Sequence, residues 1–410
     1  MAATQKLTDD ALRETLRVLA LHNGNQVAAS RALGISRGGL QTRLNAAALR
    51  LPQSHDAGVD PKDKLADRVR ELETELKFAS REALDADYVK RKIIGLTEAV
   101  GATEAPGWLM RPTKAFHGAG VPTLFASDFH WGEIVDPGQI NGVNQFNVAI
   151  AHERLRTMVE VAVDLLRNHI SSKGGYPGIV FALGGDMVSG DIHEELMATN
   201  EAEIMKIVID LWGALVWAIK ALVDEFGKVF IPCVGGNHGR NTHKIRAKGR
   251  NYTSFDWLLY QFLAKHFEGD KRVTFFIPDG PDALYSVMGH RYLLTHGDQF
   301  RGGDGMIGAL GPIIRGDHRK RSRNGQIGMA YDTMLMGHWH QLIQLQRLIV
   351  NGSLKGYDEY ANANNFGFEP PRQALWLTHP QHGITFSAPV HLEREPTKER
   401  ADTSWVSWKA

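Results

Sequence analysis

The residues best suited to chemistry fall in five short runs, each placed directly after an apolar, strand-like stretch. The runs are Asp128-Phe129-His130, Gly185-Asp186, Gly235-Gly236-Asn237-His238, Thr295-His296-Gly297 and Gly337-His338-Trp339-His340. An apolar stretch that stops at glycine is typical of a buried strand that opens into a loop. Loops at strand ends are where an α/β sheet carries its chemistry, so we expect these side chains to form one site.

The residue types in these runs predict a metal centre. Carboxylate, imidazole and amide groups are ligands that suit divalent manganese, iron and zinc. Two such ions about 3.5–4 Å apart activate water and hold a phosphoryl group. The runs supply two acids, one amide and four histidines, with a fifth histidine left over. We therefore expect two divalent metal ions, manganese in the first place, with iron or zinc as alternatives.

In order and in residue type, the five runs resemble the calcineurin-like metallophosphoesterase superfamily, whose pattern is Asp-x-His, Gly-Asp, Gly-Asn-His, His and Gly-His-x-His. The resemblance covers about residues 121–353. It implies that Asp128, His130 and His340 hold the first metal, that Asn237, His296 and His338 hold the second, and that Asp186 bridges them. It also implies a hydroxide between the metals as nucleophile, with His238 facing the phosphate as the catalytic residue.

The chain departs from the superfamily's protein phosphatases at two places. Those enzymes carry a second Asp and an Arg after Gly-Asp, and a Glu after Gly-Asn-His. This chain has Ser189-Gly190 and Gly239-Arg240 in the corresponding places. The departures argue against a phosphoserine or phosphothreonine substrate.

Two basic runs flank the predicted metal centre. The first holds Arg240, Lys244, Arg246, Lys248 and Arg250, and the second holds Arg315, His318, Arg319, Lys320, Arg321 and Arg323. Basic loops on both sides of the centre suit a polyanionic phosphodiester, because each neutralised phosphate releases counterions. We expect Arg240, Arg319, Lys320 and Arg321 to bind substrate. The alternative is that both runs are solvated surface loops without a ligand.

The elements that must position these loops alternate between strand and helix patterns from Val121 on. The expected strands are Thr123–Ser127, Ile179–Leu183, Val229–Val234 and Val273–Ile277, and helical patterns cover residues 147–169, 200–226 and 253–267. Beyond Asp282 short strands follow at Ala283–Met288, Tyr292–Thr295, Leu345–Val350, Ala374–Leu377 and Ile384–Ser387. This order predicts an α/β domain in which a second sheet packs on the first. Together with the family resemblance, this order of elements predicts a two-sheet αββα metallophosphoesterase sandwich over residues 121–392.

The N-terminal residues 1–52 form a small helical unit in this interpretation. Helical spacing, a break at residues 22–25 and the N-cap Ser36 predict three short helices. The unit resembles the helix-turn-helix of Fis-type proteins over about 25 residues, and from Lys6 to Arg50 it carries seven Lys/Arg against three acids. Arg37, Gln41 and Arg43 on the third helix are then the expected DNA contacts. A three-helix packing module is the alternative.

Residues 62–95 follow a Pro- and Gly-containing linker and carry apolar residues at alternating four–three spacing. Such spacing over three heptads predicts a coiled coil that joins two chains through residues 62–90. A single amphipathic helix lying on the catalytic domain is the alternative. The charged tail at 393–410 ends in Trp405-Val406-Ser407-Trp408, and its role cannot be deduced from the sequence.

Composition limits the class of protein. The 410 residues carry a formal net charge of +1, which argues against a polyanion-binding surface over the whole molecule but not against local basic patches. The single cysteine, Cys233, excludes an intrachain disulfide, and no signal core or membrane-spanning run occurs. We expect a cytoplasmic protein.

These features together predict a di-metal phosphoesterase with a DNA-binding module, namely a DNA nuclease whose site is similar to that of SbcD-type repair exonucleases. DNA is favoured over RNA because a helix fits the wide B-form major groove and not the A-form one. One alternative is a phosphodiesterase or phosphatase for nucleotides or other small phosphoesters. The other is a non-catalytic DNA-binding protein with a relic metal site.

Overall fold

The computed structural model of the chain describes residues 7–51, 105–112, 117–170, 175–190, 192, 194–300 and 310–393. These residues fall into two compact units, one formed by residues 7–51 and the other by the described residues from 105 onward. The coiled-coil segment expected at 62–95 and the tail after Glu393 lie outside the described residues. Both therefore stay predictions.

The N-terminal unit consists of three helices. They are α1 (Asp9–Leu21), α2 (Gln26–Ala32) and α3 (Arg37–Arg50). At the start of each helix a capping side chain, from Thr8, Asn25 and Ser36 in turn, accepts a hydrogen bond from a backbone N–H of the first turn. Leu12 and Leu40 are fully buried. The three helices lie where the sequence predicts them, whereas DNA binding by the unit stays a prediction.

The larger unit is built from strands and helices in alternation. Its described strands are β1 (Val121–Ala126), β2 (Ile179–Leu183), β3 (Val229–Pro232), β4 (Val273–Phe276), β5 (Asp282–Val287), β6 (His290–Thr295), β7 (Thr333–Met336), β8 (Ile343–Leu345), β9 (Leu348–Val350), β10 (Arg372–His379) and β11 (Gly383–His391). Its described α-helices are α4 (Val148–Asp164), α5 (Glu194–Thr199), α6 (Ile204–Phe226), α7 (Phe255–His266), α8 (Leu310–Gln326) and α9 (Glu359–Ala363).

The strands form two sheets. The first is six-stranded in the order β11-β10-β1-β2-β3-β4, and the second is five-stranded in the order β5-β6-β7-β9-β8. Strands β1 to β4 run parallel to their neighbours, with β10 and β11 added antiparallel at one edge. In the second sheet β6, β7 and β9 are parallel, with β5 and β8 antiparallel at the two edges.

Three apolar cores separate the layers. The largest lies between the first sheet and helices α4, α6 and α7, where Phe181 packs in one cluster with Met158 and Leu215. The second lies between the two sheets and contains Phe125 and Tyr292. The third places Ile313 of α8 against the outer face of the second sheet. The unit is thus a two-sheet αββα sandwich, as the sequence predicts.

Two local expectations are wrong. The basic run at 315–323, predicted as a loop, lies within helix α8, because Ile313 and other apolar residues anchor that segment to the second sheet. The single strand expected at Leu345–Val350 is a tight antiparallel hairpin of β8 and β9. None of the described helices is both long and apolar enough to cross a bilayer.

Candidate metal centre

The five loops that carry the predicted ligands follow the carboxyl ends of five strands. Parallel strands β1, β2 and β3 of the first sheet end just before the loops of Asp128, Asp186 and Asn237. Parallel strands β6 and β7 of the second sheet end just before the loops of His296 and His338. Since carboxyl ends of parallel strands share one edge, each sheet delivers its ligands together, as expected for α/β sheets.

Most of the predicted ligands also share an unusual backbone conformation, which is an observation independent of the motifs. Asp128, His130, Asp186, His338 and His340 lie in the left-handed region, with φ between 47° and 68°. They are five of the nine non-glycine residues with positive φ in the described part of the chain. This conformation costs about 1 kcal/mol or more for a residue with a Cβ and is concentrated at functional sites. The loops are therefore held in shape to direct these side chains.

The first group of donor atoms belongs to Asp128, His130 and His340, whose ligand atoms lie within 4.8 Å of one another. The two Nε2 atoms of His130 and His340 are 3.0 Å apart, and His340 Nε2 is 3.5 Å from Asp128 Oδ1. Asp128 and His130 are buried, whereas the His340 side chain is 28% exposed. The group is therefore open to solvent on the His340 side.

The second group belongs to Asp186, His296 and His338, again within 4.8 Å of one another. His296 Nε2 lies 2.9 Å from Asp186 Oδ2 and 3.1 Å from Asn237 Oδ1. The other ring nitrogen of His296 is 2.9 Å from the carbonyl oxygen of Gly184. An Nδ1–H that donates to this carbonyl leaves Nε2 as the free ligand atom, which is the usual arrangement behind a metal-bound histidine.

The electrostatics of the two groups fit cations. Burial would lower the pKa of His296, but the carboxylate of Asp186 raises it to about 10, so the surroundings of this ring favour a positive charge at this point. Asp186 Oδ2 is buried and accepts no hydrogen bond of good geometry, although it lies near His296 Nε2. A buried carboxylate oxygen without a donor is costly, and a divalent ion would satisfy it. Carboxylate, amide and imidazole are the donors such ions accept.

His238 lies beside both groups. Its donor atom is within 4.8 Å of those of His130 and Asp186, and its ring centroid is 4.6 Å from that of His130. Its backbone N–H donates to Asp186 Oδ1 at 2.6 Å. Burial lowers the pKa of His238 to about 3, so the imidazole is neutral near pH 7. The described geometry accommodates His238 facing a substrate at the edge of the two groups.

Asp256 is a site residue that the sequence patterns missed. It lies in the first turn of α7 with its side chain fully buried, and its carboxylate accepts hydrogen bonds from the backbone N–H groups of Asp186, Met187 and Gly236 at 2.9–3.2 Å. One side chain therefore ties the Gly-Asp loop to the Gly-Asn-His loop. Burial, followed by the nearby Asp186 charge, raises the pKa of Asp256 to about 6. In the sequence it is indistinguishable from an ordinary acid at a helix start.

A buried ion-pair network lies behind His130. Glu133 Oε2 is 3.2 Å from His130 Nδ1, and Glu133 Oε1 is 2.7 Å from the ammonium of Lys355, which also contacts Asp358 at 2.5 Å. The three charged side chains are less than a tenth exposed. The Glu133 carboxylate thus lies behind the His130 ring, on the side of Nδ1. This ion-pair network cannot be predicted from local sequence patterns, because Glu133 and Lys355 are far apart in the chain.

Two glycines allow the loops to approach each other. A Cβ on Gly236 would lie 2.0 Å from Asp186 Oδ1, and a Cβ on Gly337 would lie 2.2 Å from Asp128 Oδ2. Any side chain at either position would displace a predicted ligand. The glycines of the Gly-Asn-His and Gly-His-x-His motifs are thus required by close contact.

The four residues predicted to bind substrate differ in their exposure and in their contacts. The Arg240 guanidinium donates to the carbonyl oxygens of Asn237 and Thr242 and so braces the His238 loop. Lys320 is only 4% exposed, and Arg321 pairs with Asp317 and lies over the Tyr331 ring. Of the four, Arg319 alone is exposed.

The predicted DNA contacts are on α3. Arg37 and Gln41 are exposed and, one turn apart, share a face of the helix. Arg43 is half-buried and, two residues beyond Gln41, points to the other side. A groove-reading face would therefore contain the first two residues and not the third.

No protein-family model and no curated protein matches the chain. Solved structures similar to it include a conserved uncharacterized protein of Streptococcus pneumoniae TIGR4 described as a predicted phosphoesterase, at 10% identity and a TM-score of 0.26 over 67% of this chain and 98% of that one. A Vps29 single mutant of Entamoeba histolytica matches at 10% identity and 0.28, over 66% and 98%.

A third similar structure is a 5′-nucleotidase of Staphylococcus aureus, solved with α-ketoglutarate. It has 12% identity and a TM-score of 0.33 over 68% of this chain and 55% of that one. Similarity at these levels carries no inference about function. The functional assignment therefore has to rest on the site itself.

Proposed function

We propose that the chain is a di-metal phosphoesterase of the calcineurin-like superfamily that hydrolyses phosphodiester bonds in DNA. One observation carries the proposal: two groups of metal-capable donors, supplied by loops of both sheets, converge around the buried Asp186. Five of these donor residues have left-handed backbone conformations. An arrangement kept at such a cost is expected at a working site.

The chain's own residues have distinct roles in this proposal. Asp128, His130 and His340 would hold one ion, Asn237, His296 and His338 the other, and Asp186 would contact both. When bound, the two ions polarise a phosphoryl oxygen and activate water. Asp256 keeps the two central loops in register, and Glu133 fixes the orientation of His130 from behind.

His238 is the proposed substrate-facing residue. Its backbone N–H donates to Asp186 Oδ1, which holds the ring beside both donor groups, and in this proposal the ring meets the phosphate. A neutral imidazole carries one N–H, which can donate a hydrogen bond to a phosphoryl oxygen. A bound anionic phosphate favours the protonated ring, which can then give its proton to the leaving oxygen.

The charge around the site supports a polyanionic substrate. The loop after His238 exposes Lys244, Arg246 and Lys248, and helix α8 exposes Arg315, Arg319 and Arg323. A small phosphoester needs neither set. Arg37 and Gln41 on the N-terminal unit add a candidate duplex-reading face, and for these reasons we place DNA ahead of nucleotides and other small phosphoesters.

The proposal is tested with the purified full chain, stripped of metal and reloaded with manganese, iron or zinc. We expect metal-dependent cleavage of single-stranded or duplex DNA that weakens steeply as salt rises, because several phosphate contacts contribute to the salt slope. Bis(p-nitrophenyl) phosphate serves as a small diester in parallel. A folded, metal-loaded protein that cleaves the small diester and leaves DNA intact at low salt refutes the DNA assignment. No turnover of any phosphoester refutes the enzyme.

A further inference from the structure

A basic cleft lies on helix α8, beside but outside the candidate metal centre. It has a volume of about 240 Å³ and is lined by Gln299, Phe300, Pro312, Arg315, Gly316, Arg319, Lys320 and Arg323. None of the predicted metal ligands lines it. It begins three residues after His296, so it borders the loop that supplies a ligand.

The three arginines of the cleft share one stripe of the helix. Arg315, Arg319 and Arg323 follow each other at four-residue intervals, which places them on one face about 6 Å apart along the axis. All three are exposed. Arg323 is paired with Asp282 at 3.2 Å, whereas Arg319 forms no ion pair with the other described residues. The stripe is thus a row of positive charges in which Arg319 is open to an anionic ligand.

Lys320 forms the floor of the cleft and connects it to the metal centre. Its ammonium contacts Asp282 Oδ1 at 2.6 Å, Thr295 Oγ1 at 2.9 Å and Gln299 Oε1 at 2.6 Å. Three acceptors use all three of its N–H donors, so Lys320 is a structural clamp and not a substrate contact. Thr295 directly precedes His296, and the clamp therefore fixes the cleft relative to that ligand loop.

The cleft also offers an apolar surface. Phe300 lies against α8 at Gly316, where a Cβ would be only 2.4 Å from the ring, and the Lys320 ammonium is 5.6 Å from the ring centroid. Glycine at 316 is what allows the ring to lie this close. Basic side chains beside an aromatic ring are the combination that binds single-stranded nucleic acid, with arginine on phosphate and the ring on a base.

We propose that this cleft binds a nucleotide unit of a single-stranded polynucleotide next to the one at the metal centre, with its phosphate on Arg315 and Arg319 and its base against Phe300. The inference rests on the proposed function for the identity of the substrate. Binding itself needs neither metal nor turnover, so the two proposals fail separately.

The test measures binding of a fluorescein-labelled oligothymidylate of about twelve nucleotides by anisotropy, over a range of salt concentrations, to the metal-free full chain. A single strand is used because the N-terminal helices are expected to read duplex DNA. For Arg319→Ala we expect about tenfold weaker binding and a salt slope reduced by about 0.7, the value of one lost phosphate contact. Arg319→Lys should keep the slope. Phe300→Leu should weaken binding with the slope unchanged.

Arg156→Ala is the matched control, since Arg156 is an exposed helix arginine on α4 and does not line the cleft. It should leave affinity and slope as in the unaltered chain. If Arg319→Ala and Arg156→Ala have the same effect, binding reflects general surface charge and the cleft proposal is overturned. The proposal is also overturned if Phe300→Leu binds as tightly as the unaltered chain while its thermal unfolding is unchanged.

Discussion

Asp186 belongs to the second donor group and also lies within 4.8 Å of the donor atom of His130, a member of the first group. Its Oδ1 accepts the backbone N–H of His238, and its Oδ2 lies 2.9 Å from His296 Nε2. It is 1% exposed and adopts a φ of 49°. A carboxylate in this position can serve both groups at once, whereas His238 is grouped only with His130 and Asp186.

This difference leads to a prediction about metal content. Asp186→Asn keeps the shape of the side chain but removes its charge, so it should lose metal and activity together. His238→Ala should retain metal while turnover falls by about 10²- to 10⁴-fold, the usual contribution of a general acid or base. Elemental analysis of the two purified variants decides between the roles. If His238→Ala loses as much metal as Asp186→Asn, His238 is a ligand and its assigned role is wrong.

At this scale the sequence predicts the side chains that meet but not those that support them. Asp128, Asp186 and the motif histidines lie in short runs after apolar stretches, and this local signal suffices to find them. Asp256 and Lys355 act through contacts with residues far away in the chain. Their roles depend on the tertiary structure, which no local spacing encodes.

At the scale of elements, the segment after β9 packs against the loop after β1. Ser353 Oγ donates to the carbonyl oxygen of Asp128, and Lys355 reaches Glu133 and Asp358. Burial would raise the pKa of Glu133 and of Asp358, but the Lys355 ammonium outweighs it and both pKa values lie below the ordinary range. The network is thus ionised and held together by one cation.

Lys355→Met should therefore destabilise the fold more than removal of all three charges. The single change leaves two buried carboxylates without a partner, which costs about 3–5 kcal/mol, whereas the triple variant Glu133→Gln/Lys355→Met/Asp358→Asn leaves no buried charge. Urea unfolding measures both. In the unaltered chain the ionised carboxylates contribute stability above pH about 4, and this stability is lost as the pH falls. The difference in unfolding free energy between the unaltered chain and Lys355→Met should therefore become smaller in acid. A difference in unfolding free energy that stays constant from neutral to acidic pH contradicts this account.

The elements themselves could be predicted where one face is apolar. The parallel strands and helices α4, α6 and α7 have long apolar runs or stripes and lie near their expected positions. The sequence does not reveal helix α8, because its outer face is a dense basic run and its few buried residues, such as Ile313 and Gly316, give a weak periodic signal. It does not reveal the β8–β9 hairpin either, because both strands are only three residues long.

At the scale of the whole molecule, the two units have separate cores. The core of the N-terminal unit contains Val18, Ala29 and Leu40, and among the described residues the cores of the larger unit are built from Trp108 onward. All predicted metal ligands belong to the larger unit. We therefore expect the larger unit to fold, and to hold the predicted metals, without the first hundred residues.

Deletion of residues 1–100 tests what the N-terminal part adds. If residues 62–90 pair two chains, the full chain should have twice the 45.5 kDa mass of one chain in light scattering, and the shortened chain should be a monomer. The shortened chain should still hydrolyse bis(p-nitrophenyl) phosphate, because its metal centre is complete. It should bind duplex DNA more weakly, since Arg37 and Gln41 are removed with α3. Equal oligomeric states before and after deletion would exclude the coiled coil and favour a helix that lies on its own chain, whereas lost hydrolysis by a folded monomer would show that the centre depends on the N-terminal residues.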